Sequence, residues 1–243
     1  MKGSDCRTLL FNKISNIEGG KMGKFDDQLE NIEEFKTVFR EFKELMMYYE
    51  CAMLEVKTKL DILNAELSAK GTHNPFETIK SRIKKPMSII EKMHRDGVDL
   101  TLENIENHLN DVAGIRVICS FPDDIYRLAD YLTVQDDIKV IKRKDFIANP
   151  KPNGYRSLHL IVEVPIFLTN EKKYMRVEVQ FRTIAMDFWA SLEHKLKYKK
   201  DIPDSEAISE ELFYCAELIN QLDGRMQQIR QKIDTAISVE QEE

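Results

Sequence analysis

Five short β-forming runs punctuate this chain, at residues 78–84, 114–120, 138–142, 157–164 and 175–181, with helical patterns before, between and after them. In the first run Thr78, Lys80, Arg82 and Lys84 alternate with Ile79 and Ile83, the period of a strand with one wet face. The other four are apolar and rich in β-branched residues. Strands interleaved with helices exclude a bundle or a solenoid. The predicted fold class is therefore α/β (α+β), a mixed β-sheet of about five strands flanked by helices.

From residue 29 to about 67 apolar side chains, among them Phe39, Leu45, Tyr49, Val56, Leu60 and Leu63, recur at three- and four-residue steps and predict one long amphipathic helix or two. Pro86 suits the first turn of a helix running to about residue 95, on which Ser88, Lys92 and Arg95 share a face. Further helices are predicted over 123–132, 184–197 and 205–237, the first and last of the chain's helices being candidates for oligomer contacts. Residues 1–25 contain Gly19, Gly20 and Gly23 with no period, and a flexible leader is expected there. Residues 26–243 then form a single domain with a core at about 74–200.

Charge sorts the function classes. The formal net charge of −6 argues against a dedicated double-stranded nucleic-acid binder. Within that acidic average lie two basic clusters, Lys80, Arg82, Lys84, Lys85, Lys92 and Arg95, and then Lys142, Arg143, Lys144, Lys151 and Arg156. A basic pocket in an acidic protein suits a small polyanion. The four cysteines form no CxxC pair, so they are expected to be reduced and mostly buried. No apolar stretch reaches the roughly 18 residues of a membrane span, and a cytoplasmic protein with no membrane partner is expected.

Two carboxylates stand beside those cations. Asp111 precedes one strand, and Glu178 lies in another where alternation puts Arg176, Glu178, Gln180 and Arg182 on one side. Carboxylates at strand ends with Lys and Arg nearby are what metal-assisted transfer of phosphate groups needs. The turn-rich loop at 149–154 leads into Tyr155, Arg156 and His159, a backbone, an aromatic face and cations suited to holding a base and its phosphates. Phe188 and Trp189 are expected in the core.

The stretch from Asn74-Pro75 to Lys92, Asp111-Val-Ala-Gly-Ile-Arg116, Lys144-Asp-Phe146, Lys151-Pro-Asn-Gly-Tyr-Arg-Ser-Leu-His159 and the run from Glu178 to His194 together resemble the ordered motifs of RelA/SpoT-type (p)ppGpp synthetases. The short chain is similar to the small alarmone synthetases RelP and RelQ, and closer to RelP. The resemblance implies a nucleotidyltransferase-like synthetase fold and a GTP diphosphokinase that moves the β,γ-pyrophosphate of ATP to the 3′-hydroxyl of GDP or GTP, with GMP a further acceptor, for the stringent response. It also implies Mg²⁺ and a homotetramer. By the same resemblance Asp111 and Glu178 are the Mg²⁺ carboxylates, with Glu178 also accepting the 3′-hydroxyl proton. Arg82 and Arg116 sandwich adenine, and Lys84, Ser88, Lys92 and Arg95 hold the phosphates of ATP. Tyr155 stacks on guanine, with Lys144, Lys151, Arg156 and His159 near the acceptor and Gln180 behind it. The five histidines include no His-Asp pair in sequence, so synthesis without hydrolysis is expected. RNA binding along the basic clusters and transfer of AMP by a related nucleotidyltransferase are the alternative readings.

Overall fold

The computed structural model describes residues 25–70, 73–197 and 205–242; the expected leader lies almost wholly outside them. Helix α1 (Phe25–Ala69) carries Leu45, Tyr49, Ala52, Val56 and Leu60 as a buried seam at three- and four-residue spacing. That seam lies across a sheet built from β1 (Phe76–Ile83), β2 (Ala113–Cys119), β3 (Lys139–Asp145), β4 (Leu158–Phe167) and β5 (Lys172–Thr183). The strand order is β1-β2-β5-β4-β3, with β2 and β5 parallel and every other neighbouring pair antiparallel.

Alternation gives the sheet two unlike faces. Val117, Val177, Val179, Phe181, Leu160 and Val162 point to one side and are fully buried. Under them α1 packs together with α4 (Pro122–Thr133), which begins on a proline, sets Asp123 and Asp124 in its first turn and buries Ile125, Leu128 and Leu132. The other face carries the charged residues. β4, the fourth strand in sheet order, is buried along almost its whole length, which explains why only His159 and Glu163 interrupt its apolar run.

Helix α2 (Pro86–Arg95) has the predicted bounds, because Pro86 enters as its first residue after the extended Lys85. The strands at residues 138–142 and 175–181 shift or lengthen by a few residues, since their ends carry charged side chains, exposed at Arg143, Lys144 and Lys172 and buried at Arg182, that break the apolar run. Helix α3 (Leu102–His108) was not expected: two turns burying only Ile105, with Thr101 accepting from the Asn104 amide at 3.1 Å, are too brief to show a period. Phe188 is 59% exposed rather than core, while Trp189 is buried as expected. Cys119 is buried and Cys51 half-buried, but Cys215 is exposed; Cys6 lies outside the described residues. No described helix is long and apolar enough to cross a membrane.

The C-terminal helices α5 (Ile184–Lys197) and α6 (Ser205–Glu242) are joined to the core by polar links. The Trp189 indole N–H donates to the Leu212 carbonyl at 2.9 Å. Thr183 accepts from the Met186 amide, capping α5, and donates its hydroxyl to Asp223 of α6 at 2.5 Å. Arg230 of α6 reaches the fully buried Asp124 at 3.2 Å, beside His73 at 2.9 Å. Outside these links Leu218, Leu222, Met226, Ile229, Ile233 and Ile237 form an exposed apolar stripe.

Burial raises the Asp223 carboxyl above its usual range, and the Thr183 hydroxyl only partly opposes it. The ionised form is therefore disfavoured in the fold, and the cost appears as pH rises through the raised value. Asp223→Asn keeps an oxygen for Thr183 without the charge. It should raise the melting temperature by about 2–4 °C at pH 8 and by less near pH 4. An equal gain at both pH values in thermal denaturation would refute a charge effect.

Candidate active site

The polar sheet face is set by register. Lys80 pairs with Arg116, Arg116 with Gln180, Gln180 with His159 and His159 with Lys144, so one row of side chains crosses all five strands. The next row aligns Arg82, Gly114, Glu178 and Ile161. Gly114 contributes no side chain between Arg82 and Glu178, and the surface opens there into a cavity of about 190 Å³. Lys80, Arg82, Asp111, Arg116, Glu178 and Gln180 line it.

Both predicted carboxylates thus face one cavity. Asp111 accepts from Lys84 at 2.5 Å and from Lys92 at 2.8 Å. Burial alone would raise its pKa, but the hydrogen bonds and charges of the two lysines outweigh burial and hold it below the usual carboxylate range. Glu178 accepts from His159 Nδ1 at 3.0 Å and from the Gln180 amide at 2.8 Å. Burial again acts upward and is more than offset, first by His159 and then by Gln180. Both groups stay ionised at neutral pH.

Behind Glu178 runs a hydrogen-bonded chain. With Nδ1–H donating to the Glu178 carboxylate, the Nε2 of a neutral His159 accepts from the Tyr155 hydroxyl at 2.7 Å, and the Tyr155 oxygen accepts from Arg182 at 2.8 Å. Phe146 stands edge-on to Tyr155 and His159, at 6.0 and 5.3 Å between ring centroids. Lys151 lies over the rings of Phe146 and Tyr155 at 4.9 and 4.8 Å. Tyr155 is half-buried, its hydroxyl anchored and its ring approached by Lys151 and Arg182.

The loop carrying Tyr155 rests on α6. Gly154 has φ +82°, and a Cβ there would stand 2.5 Å from the Ala216 Cβ. Arg156, expected near the acceptor, points elsewhere: it is nearly buried and pairs with Glu217 of α6 at 2.8 Å. Its alternation with Tyr155 puts it on the helix side, which a linear motif cannot reveal. Arg95 is 71% exposed and pairs with its neighbour Asp96 at 3.4 Å, while Ser88 is half-buried on α2; neither lines the cavity. Lys144 is exposed on the edge strand β3, directly opposite His159 in the ladder.

Two groups escaped the sequence reading of roles. Phe146 lies in a recognised motif and packs on Tyr155 and His159. Asp187, in the first turn of α5, binds Arg116 and Arg182 at 3.1 and 3.0 Å. Only the β2–β5 register shows that these two arginines, 66 positions apart in the chain, are neighbours.

Among the described residues no cluster of three or more His, Cys, Asp or Glu side chains is arranged to hold a metal. Two ionised carboxylates on one cavity suit a different kind of site. Mg²⁺ takes one or two carboxylates and completes its shell with water and substrate phosphates, so the oxygen donors of Asp111 and Glu178 fit it.

The chain belongs to the RelA/SpoT family: residues 81–203 match the region found in RelA and SpoT proteins. Among its relatives is the GTP pyrophosphokinase YwaC of Bacillus subtilis, 42% identical over 209 residues, which are 86% of this chain and all of that protein. The crystal structure of small alarmone synthetase 2 from Bacillus subtilis superposes with a TM-score of 0.71 at 44% identity, covering 79% of this chain and 99% of that one. That of small alarmone synthetase 1 from the same organism, bound to its product pppGpp, gives 0.73 at 35% identity, covering 80% and 99%. The mixed sheet and flanking helices are common to them.

The contact between Gly154 and Ala216 can be tested by exchange. Gly154→Ala adds a left-handed backbone penalty of about 1–2 kcal/mol and a packing clash of about 1–3 kcal/mol. Adding Ala216→Gly should return the clash but not the backbone share. A double variant no more stable than Gly154→Ala in urea denaturation would remove the contact from the argument.

Proposed function

We propose that this chain is a GTP pyrophosphokinase that transfers the β,γ-pyrophosphate of ATP to the ribose 3′-hydroxyl of GDP or GTP, releasing AMP, with GMP as a third acceptor to be assayed. The observation that carries the reading is the meeting of Asp111, Glu178, Arg82 and Arg116 on one cavity, with Tyr155 and His159 on the far side of Glu178. Acceptor and donor then lie on opposite sides of one carboxylate.

Phosphoryl-type transfer asks mostly for positioning and charge neutralisation. Arg82 and Arg116 line the donor end and take the adenine between them; Lys84 and Lys92, now on Asp111, are within reach of the polyphosphate. Tyr155 stacks on the guanine, with Lys151 and Lys144 toward the acceptor's phosphates. Glu178 accepts the 3′-hydroxyl proton, while the hydrogen bonds from His159 and Gln180 hold its carboxylate in place to do so. Asp111 and Glu178 would hold Mg²⁺, which would supply charge neutralisation for the phosphates. The exposed apolar stripe of α6, and Phe39, Leu54 and Ile62 on α1, support a homotetramer built through helices. With Thr78 and Lys80 on β1 and no aromatic face there, activation by the product is expected to be weak.

Incubation with γ-labelled ATP and GDP, followed by thin-layer separation, should move label onto the guanine nucleotide; label on free phosphate alone would sink the reading. Glu178→Gln keeps the shape and should lower initial rates by about 100-fold or more. Tyr155→Ala should weaken GDP binding by about 1–3 kcal/mol and leave ATP binding nearly unchanged in calorimetry. Equal losses for both nucleotides would point to a general defect.

A further inference from the structure

Asp187 touches two arginines that belong to different halves of the site. Its Oδ1 accepts from Arg116 Nη1 at 3.1 Å and from Arg182 Nη1 at 3.0 Å, and its side chain is 15% exposed. Arg116 lines the cavity on the donor side. Arg182 is 5% exposed and gives its second terminal nitrogen to the Tyr155 hydroxyl at 2.8 Å and the Gln180 side-chain oxygen at 3.1 Å. The Nε of both arginines is buried without a partner. Each guanidinium is therefore held at few points, and Asp187 is the point they share.

Two guanidinium groups this close, one buried and one half-buried, repel each other. Burial and then the charge of Arg182 lower the pKa of Arg116, and Asp187 is what opposes them. Without that carboxylate the two cations would separate, since an unpaired buried charge is costly and finds another partner.

Resting on the function proposed above, we propose that Asp187 is a positioning residue for both nucleotides at once. It aims Arg116 at the adenine of ATP and, through Arg182, fixes the Tyr155 ring that receives the guanine, while touching neither nucleotide. Asp187 makes no direct contact with Asp111 or Glu178 and reaches Glu178 only through Arg182 and then Gln180 or Tyr155, so its effect on the chemical step is weaker than on the two nucleotides. Its loss should appear in both substrate affinities more than in turnover.

The experiment uses the full chain with Asp187→Asn, which keeps an oxygen and the shape but not the charge, and with Asp187→Ala. Calorimetry with a non-hydrolysable ATP analogue and, separately, with GDP should show each affinity reduced about five- to tenfold in Asp187→Asn and further in Asp187→Ala. The kcat should fall by a smaller factor than either affinity. If Asp187→Ala does not fold, Asp187→Asn carries the test.

A diffuse structural defect is separated by Tyr155→Phe, which removes the hydroxyl that Arg182 holds. On that background Asp187→Asn should weaken GDP binding by clearly less than its factor in the wild type, the ring contact of Arg182 being kept, yet weaken the ATP analogue by its full factor, because only the acceptor branch runs through that hydroxyl. Additive losses on the acceptor side, a change in one affinity only, or a fall in kcat with both affinities kept would overturn the proposal. Wild-type transfer of label to the guanine nucleotide tests the underlying function by itself, so the two failures are told apart.

Discussion

The parallel pairing of β2 with β5 is the constraint on which the site depends. It places Gly114 beside Glu178 and Arg116 beside Gln180, although these residues come from strands separated by a helix and two further strands. A slip of one residue would turn every one of them to the apolar face, where α1 and α4 already fill the space. The buried side of the sheet thus holds the chemical side in register: Val117, Val179 and Leu160 leave no alternative for Arg116, Glu178 and His159.

Charge on that face is balanced before any ligand arrives. Asp111 carries two lysines, and Glu178 carries a histidine and an amide. Lys84 and Lys92 are held by a carboxylate instead of by water, so binding an anion there would exchange one set of partners for another. Such an arrangement removes much of the reorganisation that a hydrated site would need. Asp187 does the same for the two arginines.

Residues whose role depends on local period were legible in the sequence. Alternation alone placed Arg176, Glu178, Gln180 and Arg182 on one side of a strand, and Pro86 set the start of α2. Residues whose role depends on distant segments were not. Arg156 reads as a loop cation until Glu217, 61 positions later, is seen to hold it. Phe188 sits in an apolar run, but which side of a helix faces solvent depends on what packs there. Asp187 and α3 left no pattern to read, one because its partners meet only through sheet register, the other because two turns are too short for a period.

The sheet ends in β1 and β3, and both edges are basic: Lys80 and Arg82 on one, Lys139, Lys142, Arg143 and Lys144 on the other. Register irregularities also interrupt each edge, between Phe76 and Thr78 and between Val140 and Lys142. Two copies meeting strand to strand would bring like charges into contact along kinked, poorly matched backbones. The cations that suit these edges to polyphosphate therefore also guard a crowded solution of this protein against aggregation by sheet extension.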